Sequence, residues 1–276
     1  MRIAVFGLGI IGSVWAQQLR ADGHEVRAWN RTPRPDFPGF VEDAAEAATG
    51  CDIAAIVVSD GTAVSAVLDA ILPVLEPGTI VAQHSTIGVE ETLGIAARVE
   101  AAGGRFLDMP FSGSKAGAEN RQCNFYVGGE DAVLEEVRPT YRKLAKSIIS
   151  VGRHGEAMSL KLAFNVLTAG LGQSLCEAVR LAEVGGVSRD LFFRAFETHF
   201  ARCGYTDLKR PLLEKGEYGP QFSVKLMRKD VLLAQGESEK SGLNLPLVGL
   251  LADIYQAGGK AGLDECDLVS LIRLLE

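Results

Sequence analysis

The sequence has little with which to build a disulfide framework, a metal centre or a membrane span. Its five cysteines, Cys51, Cys123, Cys176, Cys203 and Cys266, are odd in number, widely spaced and without a C-x-x-C pair. That excludes a disulfide scaffold and a thiolate zinc site and fits a reducing, cytoplasmic setting. Most of these thiols are expected to be small buried apolar groups. The four histidines, His24, His84, His154 and His199, fall in no ligand spacing, so no metal is expected. No apolar run reaches the ~18 residues that a membrane span needs. The apolar opening Ile3-Ala4-Val5-Phe6 is broken at once by Gly7, unlike a secretory signal. Nor is there a cationic patch: 28 Lys and Arg against 35 Asp and Glu give a net charge of −7. Nucleic acid and anionic membrane are therefore disfavoured as partners, which leaves a small-molecule substrate.

What is present is strand–helix alternation. Residues 2–6, 25–29, 53–57, 79–83 and 105–108 read as strands, with helices expected over 10–22, 63–75 and 89–102. Two further strands, 124–127 and 147–151, flank a helix over 132–144. Such alternation implies a parallel sheet covered on both faces. After Gly152 the pattern becomes helical. Residues 155–184 form a proline-free stretch of roughly 45 Å if helical, apolar at Leu160, Leu162, Phe164, Val166, Leu167, Leu171 and Leu175. A helix apolar all round is buried, here between domains or between subunits. Gly185-Gly186 ends it, and Ser188 looks like the N-cap of a helix to about Phe200. Helices are expected over 224–241, 246–257 and 265–274. The chain thus divides into residues 1–153 and 154–276, consistent with typical domain sizes of ~100–200 residues.

Gly7-Leu8-Gly9-Ile10-Ile11-Gly12 matches G-x-G-x-x-G, directly after a strand and opening a helix. In that context Gly7 permits the tight turn, Gly9 lets a pyrophosphate approach the backbone, and Gly12 lets helix and strand pack closely. The helix N-terminus then presents free N–H groups to phosphate. The expected fold is α/β: a Rossmann doubly wound parallel sheet followed by an all-helical C-terminal domain. The end of the second strand reads Asn30-Arg31-Thr32, where an NAD site usually carries Asp or Glu for the ribose 2′-hydroxyl. A neutral Asn30, the planar fork of Arg31 and the Thr32 hydroxyl suit a 2′-phosphate, with Arg34 a further cation. NADP(H) is therefore expected over NAD(H).

Beyond this motif, Asp108-Met109-Pro110-Phe111-Ser112-Gly113-Ser114, the stretch GRHGEAMSLKLAFN from Gly152 to Asn165, and FSVKLMRKD from Phe222 to Asp230 follow in order. With the opening GLGIIGSVWAQQLRADGHEVRAWNRTP they resemble the β-hydroxyacid dehydrogenase family over essentially the whole chain. Departures are Ile11 where Met is usual, Gln83 where Asp is common, Glu156 in place of a third glycine, and Phe111 in place of Val. The resemblance implies Lys161 as the general acid or base and Asn165, four residues on and so on the same helix face, as the group that hydrogen-bonds substrate. It implies Ser112, Gly113 and Ser114 as the substrate-carboxylate loop, and Lys229 beside nicotinamide and substrate. Asp230 is expected to hold helix geometry. Val58, Ser59 and Thr86 lie at strand ends, where the cofactor's ribose and nicotinamide belong.

An ammonium beside a carbonyl oxygen stabilises the charge that grows there during hydride delivery and donates the proton; burial helps an amine exchange that proton near neutral pH. His84 falls near this site but is expected to be structural. Ser114-Lys115 in SGSKAGAEN looks more like the glyoxylate and succinic semialdehyde reductase branch than the 3-hydroxyisobutyrate branch, with a 3-hydroxyisobutyrate or tartronate semialdehyde type dehydrogenase as an alternative. An imine reductase shares the opening motif but usually has Asp or Tyr at the Lys161 position. A non-catalytic nucleotide-binding relative would lack that lysine. The resemblance implies a homodimer or tetramer, in keeping with the long apolar helix.

Overall fold

The computed structural model describes residues 1–275, and its contacts separate two compact units, Met1–Lys161 and a second from Leu162 onward. In the first, strands β1 (Arg2–Phe6), β2 (Glu25–Trp29), β3 (Ile53–Ile56), β4 (Ile80–Gln83) and β5 (Arg105–Asp108) pair in the order β2-β1-β3-β4-β5, all parallel. Helices α1 (Ile10–Ala21), α2 (Ala44–Ala48), α3 (Gly61–Ile71) and α4 (Val89–Ala101) connect them. The inner strands β1, β3 and β4 read as near-continuous apolar runs because both faces are covered, whereas the edge strand β2 carries Glu25 and Arg27. Ile3 and Val5 pack on one face with Trp15 and Leu19 of α1, while Ala4 and Phe6 pack on the other with Val64, Leu68, Ile95 and Val99 of α3 and α4. That is the period-two alternation of a strand put to use on both sides.

The sheet is not wholly parallel. Past β5 come β6 (Phe111–Ser112), α5 (Lys115–Glu119), β7 (Cys123–Gly128), α6 (Asp131–Tyr141) and β8 (Ala145–Gly152). β7 runs antiparallel to β5 and β6, and β8 parallel to β7. The link from β6 to β7 holds only the one-turn α5 and a left-handed turn at Arg121 (φ 58°). It is too short for the crossover that parallel pairing demands, so the chain must fold straight back.

Helix α7 (Glu156–Val184) begins in the first unit and continues into the second. Gly186, at φ 84°, ends it. Ser188 caps α8 (Arg189–Phe196) by accepting from the Leu191 N–H, and that helix stops at Phe196 rather than near Phe200. Next comes α9 (Gly204–Lys215), which the sequence pattern hides behind an internal Pro211. Helices α10 (Val224–Lys240) and α11 (Pro246–Lys260) follow. The last stretch, Leu268–Leu275, is a 3-10 helix where an α-helix was expected. The core of this unit joins Leu175, Val179, Phe193, Met227, Leu251 and Tyr255. Lys209 lies within it, its ammonium 2.8 and 2.9 Å from the two oxygens of buried Asp267.

Candidate active site

The glycine loop sits beyond the C-terminal end of β1, at the point where the sheet order reverses. Gly7 has φ 107°, and a Cβ there would lie 2.2 Å from the Val57 carbonyl oxygen. A Cβ on Gly12 would lie 2.0 Å from the Gly7 carbonyl oxygen, so the start of α1 can approach the turn only without one. A Cβ on Gly9, by contrast, would meet nothing within 4 Å. Gly9 is the N-cap of α1 with no side-chain cap, and the first turn holds no acidic residue. The N–H groups of Ile10, Ile11 and Gly12 thus form an uncapped helix start beside open space, a cradle for an anion.

Asn30 braces this loop. Its Oδ1 accepts from Leu8 N at 2.8 Å, and its Nδ2 donates to the Thr32 carbonyl at 2.8 Å. Arg34 donates from one guanidinium nitrogen to the Leu8 carbonyl at 2.7 Å. Leu8 is therefore held through both backbone groups by the end of β2, while the side chains of Arg31 and Thr32 are exposed there. No acidic residue occupies positions 30–35. Val58 and Ser59 follow β3, and the Val58 N–H donates to Ser85 Oγ at 2.9 Å, tying two strand-end loops together. Ser59 donates to Asp60, whose carboxylate caps α3 at Ala63 N. Thr86 is half-buried just past β4.

Ser112 lies in β6, paired with Asn124, and Gly113 is exposed against Cys123, whose sulfur would meet a Cβ at 3.0 Å. Ser114 caps α5, its Oγ accepting from Gly117 N at 3.1 Å, which leaves its proton to donate elsewhere. On α7, Lys161 and Asn165 are buried, 9% and 4% exposed. Asn165 donates to Asp230 Oδ2 at 2.6 Å, and the Lys229 ammonium reaches Asp230 Oδ1 at 2.7 Å. Asp230 is 3% exposed in its side chain. It clamps Asn165 of α7 to Lys229 of α10 rather than serving its own helix backbone, which corrects the expectation for this residue.

His84 is fully buried. Its Nδ1 lies 2.7 Å from the Met109 carbonyl and its Nε2 2.8 Å from the Tyr141 hydroxyl. Burial lowers its pKa to about 4, so the ring is neutral and structural. Asp108 was part of a motif but had no role of its own. It too is buried, accepting from Gly155 N and Met158 N at 3.0 Å each, and burial raises its pKa to about 7 despite those bonds. The one sequence signal for it was an aspartate following the apolar pair Phe106-Leu107 at a strand end. Among the described residues there is no cluster of metal-ligating side chains, and no helix is long and apolar enough to cross a membrane.

Comparison with known proteins agrees with this organisation. Residues 2–152 match the family model for the NAD binding domain of 6-phosphogluconate dehydrogenase. Residues 155–275 match the model described as NAD-binding of NADP-dependent 3-hydroxyisobutyrate dehydrogenase. Glyoxylate/succinic semialdehyde reductase 1 of Arabidopsis thaliana is 27% identical, the alignment covering 100% of this chain and 99% of the relative. The 2-hydroxy-3-oxopropionate reductase of Escherichia coli is 28% identical, with 100% and 97% covered. A structure of Mycobacterium tuberculosis 3-hydroxyisobutyrate dehydrogenase with L-serine superposes with a TM-score of 0.89 at 28% identity, covering 99% and 98% of the two chains.

Proposed function

The chain belongs to the β-hydroxyacid dehydrogenase family of NAD(P)-dependent oxidoreductases, and from that premise we propose that it uses NADPH to reduce a small aldehyde-acid of the glyoxylate or succinic semialdehyde type. The clamp of Asn165 by Asp230 and Lys229, four residues beyond Lys161 on α7, is the observation that most supports this chemistry. It holds one polar side chain of that helix face in a fixed orientation, as a group that must hydrogen-bond a reacting carbonyl requires.

The uncapped start of α1 and the open side of Gly9 fit a pyrophosphate. Gly7, Leu8, Gly9, Ile10, Ile11 and Gly12 would hold it, with Asn30, Arg31 and Thr32 at the adenosine ribose and Val58, Ser59 and Thr86 further along. Bound, the reduced nicotinamide supplies hydride to the carbonyl carbon. Lys161 holds the proton that passes to the carbonyl oxygen, and its charge opposes the negative charge building there. Ser112, Gly113 and Ser114 bind the substrate carboxylate, and Lys229 adds a second positive charge. NADPH is favoured because Arg31 is exposed at the end of β2 with no carboxylate beside it to repel a phosphate.

In this reading residues 1–153 bind the cofactor, and residues 154–276 complete the substrate site and carry the subunit contact. Leu167, Leu171, Leu181 and Val184 of α7 are exposed in the single chain, which supports association through that helix as a homodimer or tetramer. The test is NADPH oxidation with glyoxylate, succinic semialdehyde and a cyclic imine, for wild type and Lys161→Ala. Turnover of an aldehyde-acid that is lost in the variant is expected. Turnover of the imine alone, or turnover indifferent to Lys161, would refute the assignment.

A further inference from the structure

The start of the helix that carries Lys161 is held by a carboxylate from the sheet. Asp108 ends β5, and its Oδ2 receives two backbone N–H bonds from the beginning of α7. Gly155 immediately precedes that helix and Met158 is its third residue; Lys161 follows Met158 by three, one turn on. Helices are usually capped by the residue next to them in sequence. Here the cap is supplied by a strand 47 residues earlier, so it fixes the helix against the sheet and not merely against its own loop.

The arrangement is costly. Asp108 Oδ1 is buried without a hydrogen-bond partner, and among the described residues no charged side chain pairs with it. From β4 the facing residue is Gln83, which is neutral, and from β7 it is Gly128. In the segment before α7, Arg153 is paired with Glu156, and His154 donates from Nε2 to the Phe106 carbonyl and faces Glu100. A serine or asparagine could cap the same donors without a buried charge, but as a weaker, neutral acceptor.

We propose that Asp108 is a positioning residue for Lys161: its carboxylate, bridging the Gly155 and Met158 N–H groups, fixes the first turn of α7 and so the direction in which Lys161 emerges. This rests on the reading of Lys161 as proton donor. An ionised carboxylate accepts more strongly than a protonated one. Turnover therefore rises with pH through neutrality as Asp108 ionises, a limb opposite in sign to the loss expected at high pH when a lysine acid deprotonates.

The test is Asp108→Asn, nearly isosteric and uncharged, beside Lys161→Ala. The variant should lose about ten-fold in kcat through misalignment, keep KM and NADPH affinity within about two-fold, lose the neutral-pH limb, and melt no lower than wild type near pH 8. Wild-type kcat and pH profile in Asp108→Asn, with Lys161→Ala inactive, would overturn the role of Asp108 alone. Parallel losses of kcat and melting temperature with the pH limb intact would show a structural role only, and would also overturn it. Activity in Lys161→Ala would remove the parent reading and this one with it. Should Asp108→Asn fail to fold, amide hydrogen exchange on the wild type decides. The Gly155 and Met158 amides should be less protected at about pH 8 than at about pH 6 after correction for intrinsic rates, because an opening that hydrates Asp108 is easier once it is ionised, and equal protection would overturn the proposal.

Discussion

Replacing Arg31 should change cofactor choice and leave the fold alone. Its side chain is exposed at the end of β2, so Arg31→Ala removes no buried contact and melting should stay within about 1 °C of wild type. A charge-assisted pair with a 2′-phosphate is worth about 1.5–3 kcal/mol, which is roughly a 10- to 150-fold loss in kcat/KM for NADPH. NADH, which lacks that phosphate, should be used as before. Asn30→Asp offers the reciprocal perturbation. An aspartate can still accept from Leu8 N, but it loses the donor now 2.8 Å from the Thr32 carbonyl and sets two oxygens against each other. The turn must shift, so this variant should lose NADPH activity and about 1–2 kcal/mol of stability together. Arg34 is the control: it braces the Leu8 carbonyl, and Arg34→Ala should weaken both cofactors alike. The assay is initial rate against each nucleotide for all four proteins, with thermal melts. An unchanged NADPH to NADH ratio in Arg31→Ala would refute the reasoning and send the search for the phosphate contact elsewhere.

Gly12→Ala should abolish binding of both nucleotides and lower stability by about 1–3 kcal/mol or more, because the new methyl would be driven onto the Gly7 carbonyl; isothermal titration with NADPH and urea melts measure the two effects, and intact binding would contradict the packing described. Two buried groups should also pull the pH dependence of stability in opposite directions. His84, pushed down to about 4 from 6.5, contributes stability above its ordinary pKa that is lost as pH falls toward 4, about 3 kcal/mol in all. Asp108, pushed up to about 7 from 3.8, favours the folded state at low pH and loses that contribution, about 4 kcal/mol, as pH rises through 7. Urea unfolding of wild type between about pH 4 and pH 6.5 should be nearly flat, and Asp108→Asn should expose the His84 slope, losing stability on acidification; equal slopes in the two proteins would count against the Asp108 shift.

The nucleotide half was legible because each of its signals is local. A strand, three glycines and a helix start are consecutive, and the steric reasons for Gly7 and Gly12 do not depend on the rest of the chain. The reversal at β7 was less so. Residues 124–127 read as a strand, but nothing in a strand's own pattern records its direction, which here follows from the short link through α5. Helix α9 was missed because Pro211 interrupts its period, and the final helix was given the wrong pitch because apolar runs do not separate 3-10 from α. Within the site, Asn165 and Lys229 were named, while the carboxylate that joins them was assigned to its own helix. Asp230 and Asp108 act through partners 65 and about 50 positions away, and no spacing rule reaches that far.

The aromatic packing under the sheet ties together two loops that would otherwise be engineered separately. Trp15 of α1 makes edge contacts with Phe111 at 4.7 Å and with His84 at 5.2 Å, and Phe125 and Tyr141 complete the group. Phe111 is the residue before Ser112, and Trp15 is three residues after Gly12. Reshaping position 111 to admit a bulkier acid therefore disturbs the seat of the nucleotide helix through a single intervening ring. Selections for altered substrate range should recover paired changes at positions 15 and 111, and their effects on cofactor affinity should fail to add.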